Sequence, residues 1–271
     1  MRQSLYSRLA GYEDVNDAQH LSVDPVIKAV TGKKKNATNI YTIRRFETEI
    51  LILRENIDSL SEINGNWVQR SKEKTTYHRI ILDMDSSESP VHGEQEGSSY
   101  NGHFRCNCYH PLFCFNQYGD CEGAMLRPCN VHSADHWKEL LEPIVRRYEN
   151  KKVRKYFCGD AAFAKPEIYE YLEKKGLLYA IHLPANDFLY DEIKNLLTRP
   201  VGCPSRRPVV WVHDFKCRAA SWQKKRRVVA KVEWQQGDLF PRVGFIVTSM
   251  SAKAEGVVRF YNRRGITEQW R

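Results

Sequence analysis

An α/β fold, a mixed sheet with helices on its faces, is what this sequence of 271 residues predicts. Short apolar runs at 79–85, 153–159 and 178–182 read as strands, and segments with helical spacing lie between them. Segments 104–116 and 121–127, joined by Gln117-Tyr118-Gly119-Asp120, read as a hairpin. The order strand, hairpin, helix, strand, helix, strand gives a sheet with parallel and antiparallel neighbours. Four more strand candidates, 209–213, 216–220, 226–234 and 242–248, predict a small antiparallel unit near the C-terminal end.

In chain order, 1–70 reads as helical. Asp24-Pro25 is a helix start, with Asp as N-cap and Pro in the first turn. Lys33-Lys34-Lys35 falls in a break and reads as a solvated loop, with a phosphate contact as the sharper alternative. Phe46, Ile50, Leu53 and Ile57 predict a helix over 45–60, and Gly65-Asn66 closes the region. In the strand 79–85, Ile80, Leu82 and Met84 share one face; Ile81, Asp83 and Asp85 share the other. A polar, Gly-rich loop over 92–103 follows. Ser133 is placed as the cap of a helix over 134–149, which Pro143 should kink. A helix over 167–175 starts at Pro166 and is closed by Gly176. A helix over 187–197 precedes a loop punctuated by Pro200, Gly202, Pro204 and Pro208, and 251–271 reads as the last helix. The resulting divisions are a helical segment 1–70, a core 71–184, a β-rich insertion 185–248 and a final core helix 249–271.

A net charge of +9 suggests a polyanionic partner, nucleic acid first. No apolar run approaches the roughly 20 residues that span a bilayer, and the N-terminus has no secretory apolar segment. A cytoplasmic setting with reduced thiols is expected. Of eight cysteines, Cys106, Cys108, Cys114, Cys121 and Cys129 cluster, with His103 and His110 nearby. No C-x2-C pair is present, so small buried residues in strands are the expectation rather than a zinc site.

Carboxylates at the end of a buried strand are costly unless they hold a metal or hydrogen-bond donors. An isolated Asp83-x-Asp85, or Asp160 after its own strand, is more often a turn former. Tyr261, Arg264 and Glu268 stand at i, i+3 and i+7, on one helical face. Lys224-Lys225-Arg226-Arg227 beside Trp222 suits a nucleic acid whose bases stack on rings; a charged hairpin tip over a partly buried Trp is the plainer reading.

Taken together, an Asp closing the first strand, an Asp closing a later one and a helical Tyr-x2-Arg-x3-Glu resemble the DDE transposases of bacterial insertion sequences, in the group numbered thirteen-eighty. The phrases Arg8-Leu9-Ala10-Gly11-Tyr12-Glu13-Asp14, Leu82-Asp83-Met84-Asp85-Ser86-Ser87, Gly93-Glu94-Gln95-Glu96-Gly97, Tyr100-Asn101-Gly102-His103, Gly159-Asp160-Ala161-Ala162-Phe163, Leu183-Pro184-Ala185-Asn186 and Tyr261-Asn262-Arg263-Arg264 carry it. The resemblance implies an RNase H-like core with a β-rich insertion before the last carboxylate. It implies that Asp85, Asp160 and Glu268 bind two Mg²⁺ ions, with Mn²⁺ as the alternative, for DNA cleavage and strand transfer. Asp83 competes with Asp85; the small residues Ser86-Ser87 favour Asp85. Tyr261 and Arg264 are implied contacts to DNA phosphates at the transposon end. The implied partners are terminal inverted repeats and target DNA, in a homodimer at the bacterial nucleoid. Relatives carry a longer N-terminal segment and continue past Glu268, so truncation and impaired catalysis are expected. A metal-dependent nuclease and a non-catalytic DNA-binding remnant are the competing readings.

Overall fold

The structure, a computed structural model, describes residues 1–12, 14–32, 39–72, 77–93, 95–199, 201–202 and 206–264. Lys33-Lys34-Lys35, Pro200, Pro204 and Glu268 lie outside them. The chain divides into two compact units, Met1–Asn64 and Gly65–Arg271. The first holds helices α1 (Arg2–Leu9), α2 (Ala18–Leu21), α3 (Pro25–Thr31) and α4 (Ile40–Arg45), and α5 (Arg54–Lys72) begins in it. Asp24 caps α3 by accepting from the backbone N–H groups of Val26 and Ile27, Pro25 opens it, and Gly32 ends it at φ 72°. Ser4 and Arg8 both donate to Glu47, at 2.7 and 2.8 Å, which ties α1 to the segment after α4.

The helix expected over 45–60 is broken. A π-helical turn, Phe46–Leu51, separates α4 from α5. Nor does Gly65-Asn66 end the helix, because α5 continues to Lys72. A Cβ at Gly65 would lie 2.7 Å from the Arg147 guanidinium, so this glycine permits close packing rather than a stop.

The second unit is built on an eight-stranded sheet: β1 (Arg79–Ser86), β5 (Leu112–Asn116), β6 (Cys121–Met125), β7 (Arg154–Gly159), β8 (Leu178–Leu183), β9 (Val209–Cys217), β10 (Arg226–Trp234) and β11 (Arg242–Thr248). Its order is β6-β5-β1-β7-β8-β11-β10-β9. Strands β1, β7 and β8 are parallel, and every other pairing is antiparallel. The C-terminal strands are three rather than four, and they continue the main sheet through the β8–β11 pair. A small sheet of β2 (Ser89–Pro90), β3 (Ser99–Asn101) and β4 (Cys106–Tyr109) fills what reads from sequence as loop and as the first half of one long strand.

Ile80, Leu82, Met84 and Phe157 are buried on one face of the sheet, in a core shared with α6 (Trp137–Arg147), α7 (Pro166–Lys174) and α8 (Asp187–Glu192). The other face is covered by α9 (Ala254–Asn262), whose Val257 and Val258 pack with Ala180, Val229 and Ile246. On β1 itself, Leu82 and Met84 of one face and Asp83 and Asp85 of the other are buried, as its near-continuous apolar run requires. Helix α6 begins at Trp137, not at a Ser133 cap. Arg127 donates to the carbonyls of Ser133 and Asp135, at 3.1 and 2.6 Å, and holds that stretch as a turn.

The cysteine cluster corrects the expectation of reduced thiols. Cys108 and Cys129 form a disulfide with Cα atoms 5.3 Å apart, beside an antiparallel bridge between Tyr109 and Pro128. Cys114 and Cys158 are buried free thiols. Among the described residues no group of three or more His, Cys, Asp or Glu gathers for a metal, and no helix is long and apolar enough to cross a membrane.

Candidate active site

The site forms where three parallel strands end. Met84 of β1 pairs with Gly159 of β7, and Gly159 with Ile181 of β8. Asp85, Asp160 and His182 each follow that row by one residue, so they stand side by side at the carboxyl ends of the strands, where open α/β sheets bind ligands. Strand alternation puts Asp83 and Asp85 on the face that α9 covers, opposite Leu82 and Met84.

From the end of α9, Arg264 reaches both acids. Its Nε donates to Oδ1 of Asp83 at 2.8 Å and its Nη2 to Oδ2 of Asp85 at 2.7 Å. The other oxygen of Asp85, Oδ1, accepts from the Ser86 backbone N–H at 2.8 Å. All three side chains are buried. Burial opposes the Arg264 charge, but Asp83, joined by Tyr261 and Asp160, outweighs it and raises the guanidinium's hold on its proton. Asp160 caps a 3₁₀ turn, accepting from Ala162 N–H at 2.9 Å. Tyr261 leans over the same strand ends, its hydroxyl 3.4 Å from the Gly159 carbonyl and its ring stacked on His182. Burial raises the Tyr261 pKa. Burial also lowers that of His182, against an upward pull from Asp160.

The sequence pattern of the family described as transposase DDE domain group 1 matches residues 1–270. The chain belongs to that family. Among solved structures it is similar to a piggyBac transposase synaptic complex with hairpin DNA, at 12% identity and a TM-score of 0.49, over 99% of this chain and 53% of that one. It thus spans about half the length of that transposase. A Mos1 transposase paired-end complex with the left transposon end is matched at 14% identity and a TM-score of 0.27, over 70% of this chain and 60% of the other. No curated protein sequence matches.

Of the residues singled out in this DDE-family sequence, Asp83, Asp85, Asp160, Tyr261 and Arg264 come together, and Glu268 lies outside the described residues. The basic cluster is elsewhere and is largely structural. Trp222 is only 4% exposed and packs edge-on against Tyr169, with the Arg226 guanidinium over its ring. Arg226 is itself buried and pairs with Glu173 at 3.2 Å. Arg227 pairs with Asp214 and donates to the carbonyls of Met250 and Ala252 at 2.6 and 2.7 Å. Base stacking on Trp222 is therefore corrected to core packing, since its faces are occupied. Lys224, although paired with Glu173, and Lys225 stay exposed. His182 went unnoticed in the sequence; its signal was a histidine closing a strand just before Leu183-Pro184-Ala185-Asn186.

Proposed function

We propose that this chain carries the catalytic core of an insertion-sequence DNA transposase, which cuts and rejoins DNA at transposon ends by metal-dependent phosphoryl transfer. The observation that carries the reading is the adjacency of Asp85 and Asp160 on neighbouring parallel strands, in a chain of the DDE family. Strands β6-β5-β1-β7-β8 are read as the RNase H-like core, and 185–248 as the β-rich insertion that lengthens its sheet.

The donor chemistry fits a hard dication. Carboxylate oxygens are what Mg²⁺ prefers, and each has two lone-pair sites. Asp85 accepts from the Ser86 N–H at Oδ1 and from Arg264 at Oδ2, and Asp160 accepts from the Ala162 N–H at Oδ1. Asp85 and Asp160 would hold the metal, with Glu268 as the proposed third ligand. Bound there, Mg²⁺ or Mn²⁺ supplies activation of the attacking oxygen and stabilisation of the leaving one. Tyr261 and His182 wall the strand ends and restrict water beside the two acids. The DNA partners are the terminal inverted repeats and the target, engaged by a homodimer in the synaptic complex.

The test is cleavage of a duplex carrying the inverted repeats that flank the gene, with Mg²⁺, by wild type, Asp85→Asn and Asp160→Asn. Metal-dependent nicking at the repeat end is expected, slowed about a hundredfold or more in each variant while DNA binding persists. Equal cleavage by Asp160→Asn would sink the reading. Salt-sensitive binding without any cleavage would favour the non-catalytic remnant.

A further inference from the structure

We infer that Arg264 is a positioning residue that orients Asp85 and that Asp83 is its anchor. This rests on the reading that Asp85 holds metal. The side chains of Arg264 and Asp83 are each 7% exposed, and that of Asp85 is 12% exposed. The planar fork of arginine spans two acids at once, one through Nε at 2.8 Å and one through Nη2 at 2.7 Å. A lysine ammonium is a point charge and holds one acid at a time in that geometry.

This arrangement explains why two acids alternate on one face of β1. Asp83 balances the charge of Arg264, so the guanidinium can sit beside Asp85 without cancelling its attraction for a cation. Asp85 is then fixed at both oxygens, by Ser86 N–H on one side and Arg264 on the other. Partners of this kind hold a metal ligand in its working orientation, and losing one typically lowers metal affinity by about 10–100-fold. The bridge also joins the end of α9 to β1, 179 and 181 residues apart in sequence, and so couples the start of the segment leading to Glu268 to the first acid.

The experiment titrates Mn²⁺ into the full chain by calorimetry, for wild type, Arg264→Lys and Arg264→Gln. Far-ultraviolet circular dichroism at the same temperature confirms folding. Arg264→Lys keeps the charge and guards against a Gln variant that does not fold. Its Mn²⁺ affinity is expected to fall at least about tenfold. Unchanged or tighter Mn²⁺ binding by folded Arg264→Lys overturns the inference. A wild type that binds no Mn²⁺ overturns the parent reading, and that result is distinct from a variant that fails where wild type succeeds.

Discussion

The Tyr148 hydroxyl donates to Oε1 of Glu122 at 2.6 Å, inside the protein beneath the β5–β6 hairpin. Asn116 Nδ2 donates to the same oxygen at 2.8 Å, and Arg147 Nη2 donates to Oε2 at 2.8 Å. Glu122 is 1% exposed, and donors meet both of its oxygens, as a buried carboxyl group requires. Burial, reinforced by Glu122, raises the Tyr148 pKa far above its ordinary value and keeps that hydroxyl a donor. Glu122→Ala strands the Arg147 charge and two buried donors, and should cost about 3–5 kcal/mol. Glu122→Gln keeps the shape and one acceptor, and should cost about 1–3 kcal/mol. Urea unfolding midpoints check this; an Ala variant as stable as wild type would show the network to be dispensable.

Local signals were legible in the sequence, and distant ones were not. Strand β1 announces itself by an apolar run with a period of two, and α3 by Asp24-Pro25, because both depend on neighbouring residues. Gly65 misled because its use is tertiary: it makes room for Arg147, far along the chain. Trp222 and Arg226 looked like a nucleic-acid surface until Tyr169 and Glu173 of α7 covered them. At the site, the strand-terminal acids were visible as types and positions. The partners of Arg264 were not, since i+3 and i+7 spacing pointed it toward Glu268, and only the packing of α9 on the sheet brings it to Asp83 and Asp85.

The Cys108–Cys129 disulfide closes a separation of 21 residues and ties β4 to the segment that leads into α6. A crosslink over a loop of this size restricts the unfolded chain and stabilises by about 3 kcal/mol. For a unit of this length that corresponds to a melting temperature lower by about 6–12 °C once the bond is cut. Calorimetric scans of protein refolded with and without a phosphine reductant measure the difference. Thiol titration of each sample under denaturing conditions confirms its redox state. Equal melting temperatures for the oxidised and reduced chains would mean that the bond constrains nothing the fold does not already hold.

Glu173 of α7 meets three donors: Lys224 Nζ at 2.9 Å, Arg226 Nε at 3.2 Å and Tyr179 Oη at 2.9 Å. Burial pulls its pKa up, but the donors outweigh burial and hold it below the ordinary carboxyl value of 4.5. The sign follows from linkage. A group with a depressed folded pKa stabilises fully above its unfolded pKa, and that contribution is lost as pH falls through the folded value. Glu173→Gln should therefore melt below wild type at neutral pH. The gap should stay constant down to about pH 5 and close progressively as the pH falls below the ordinary carboxyl value of 4.5 toward the acid end. Melting curves for both proteins across that range supply the measurement. A gap of constant size down to the acid end would show that Glu173 contributes through packing and neutral hydrogen bonds alone, and that its three donors do not favour the ionised form.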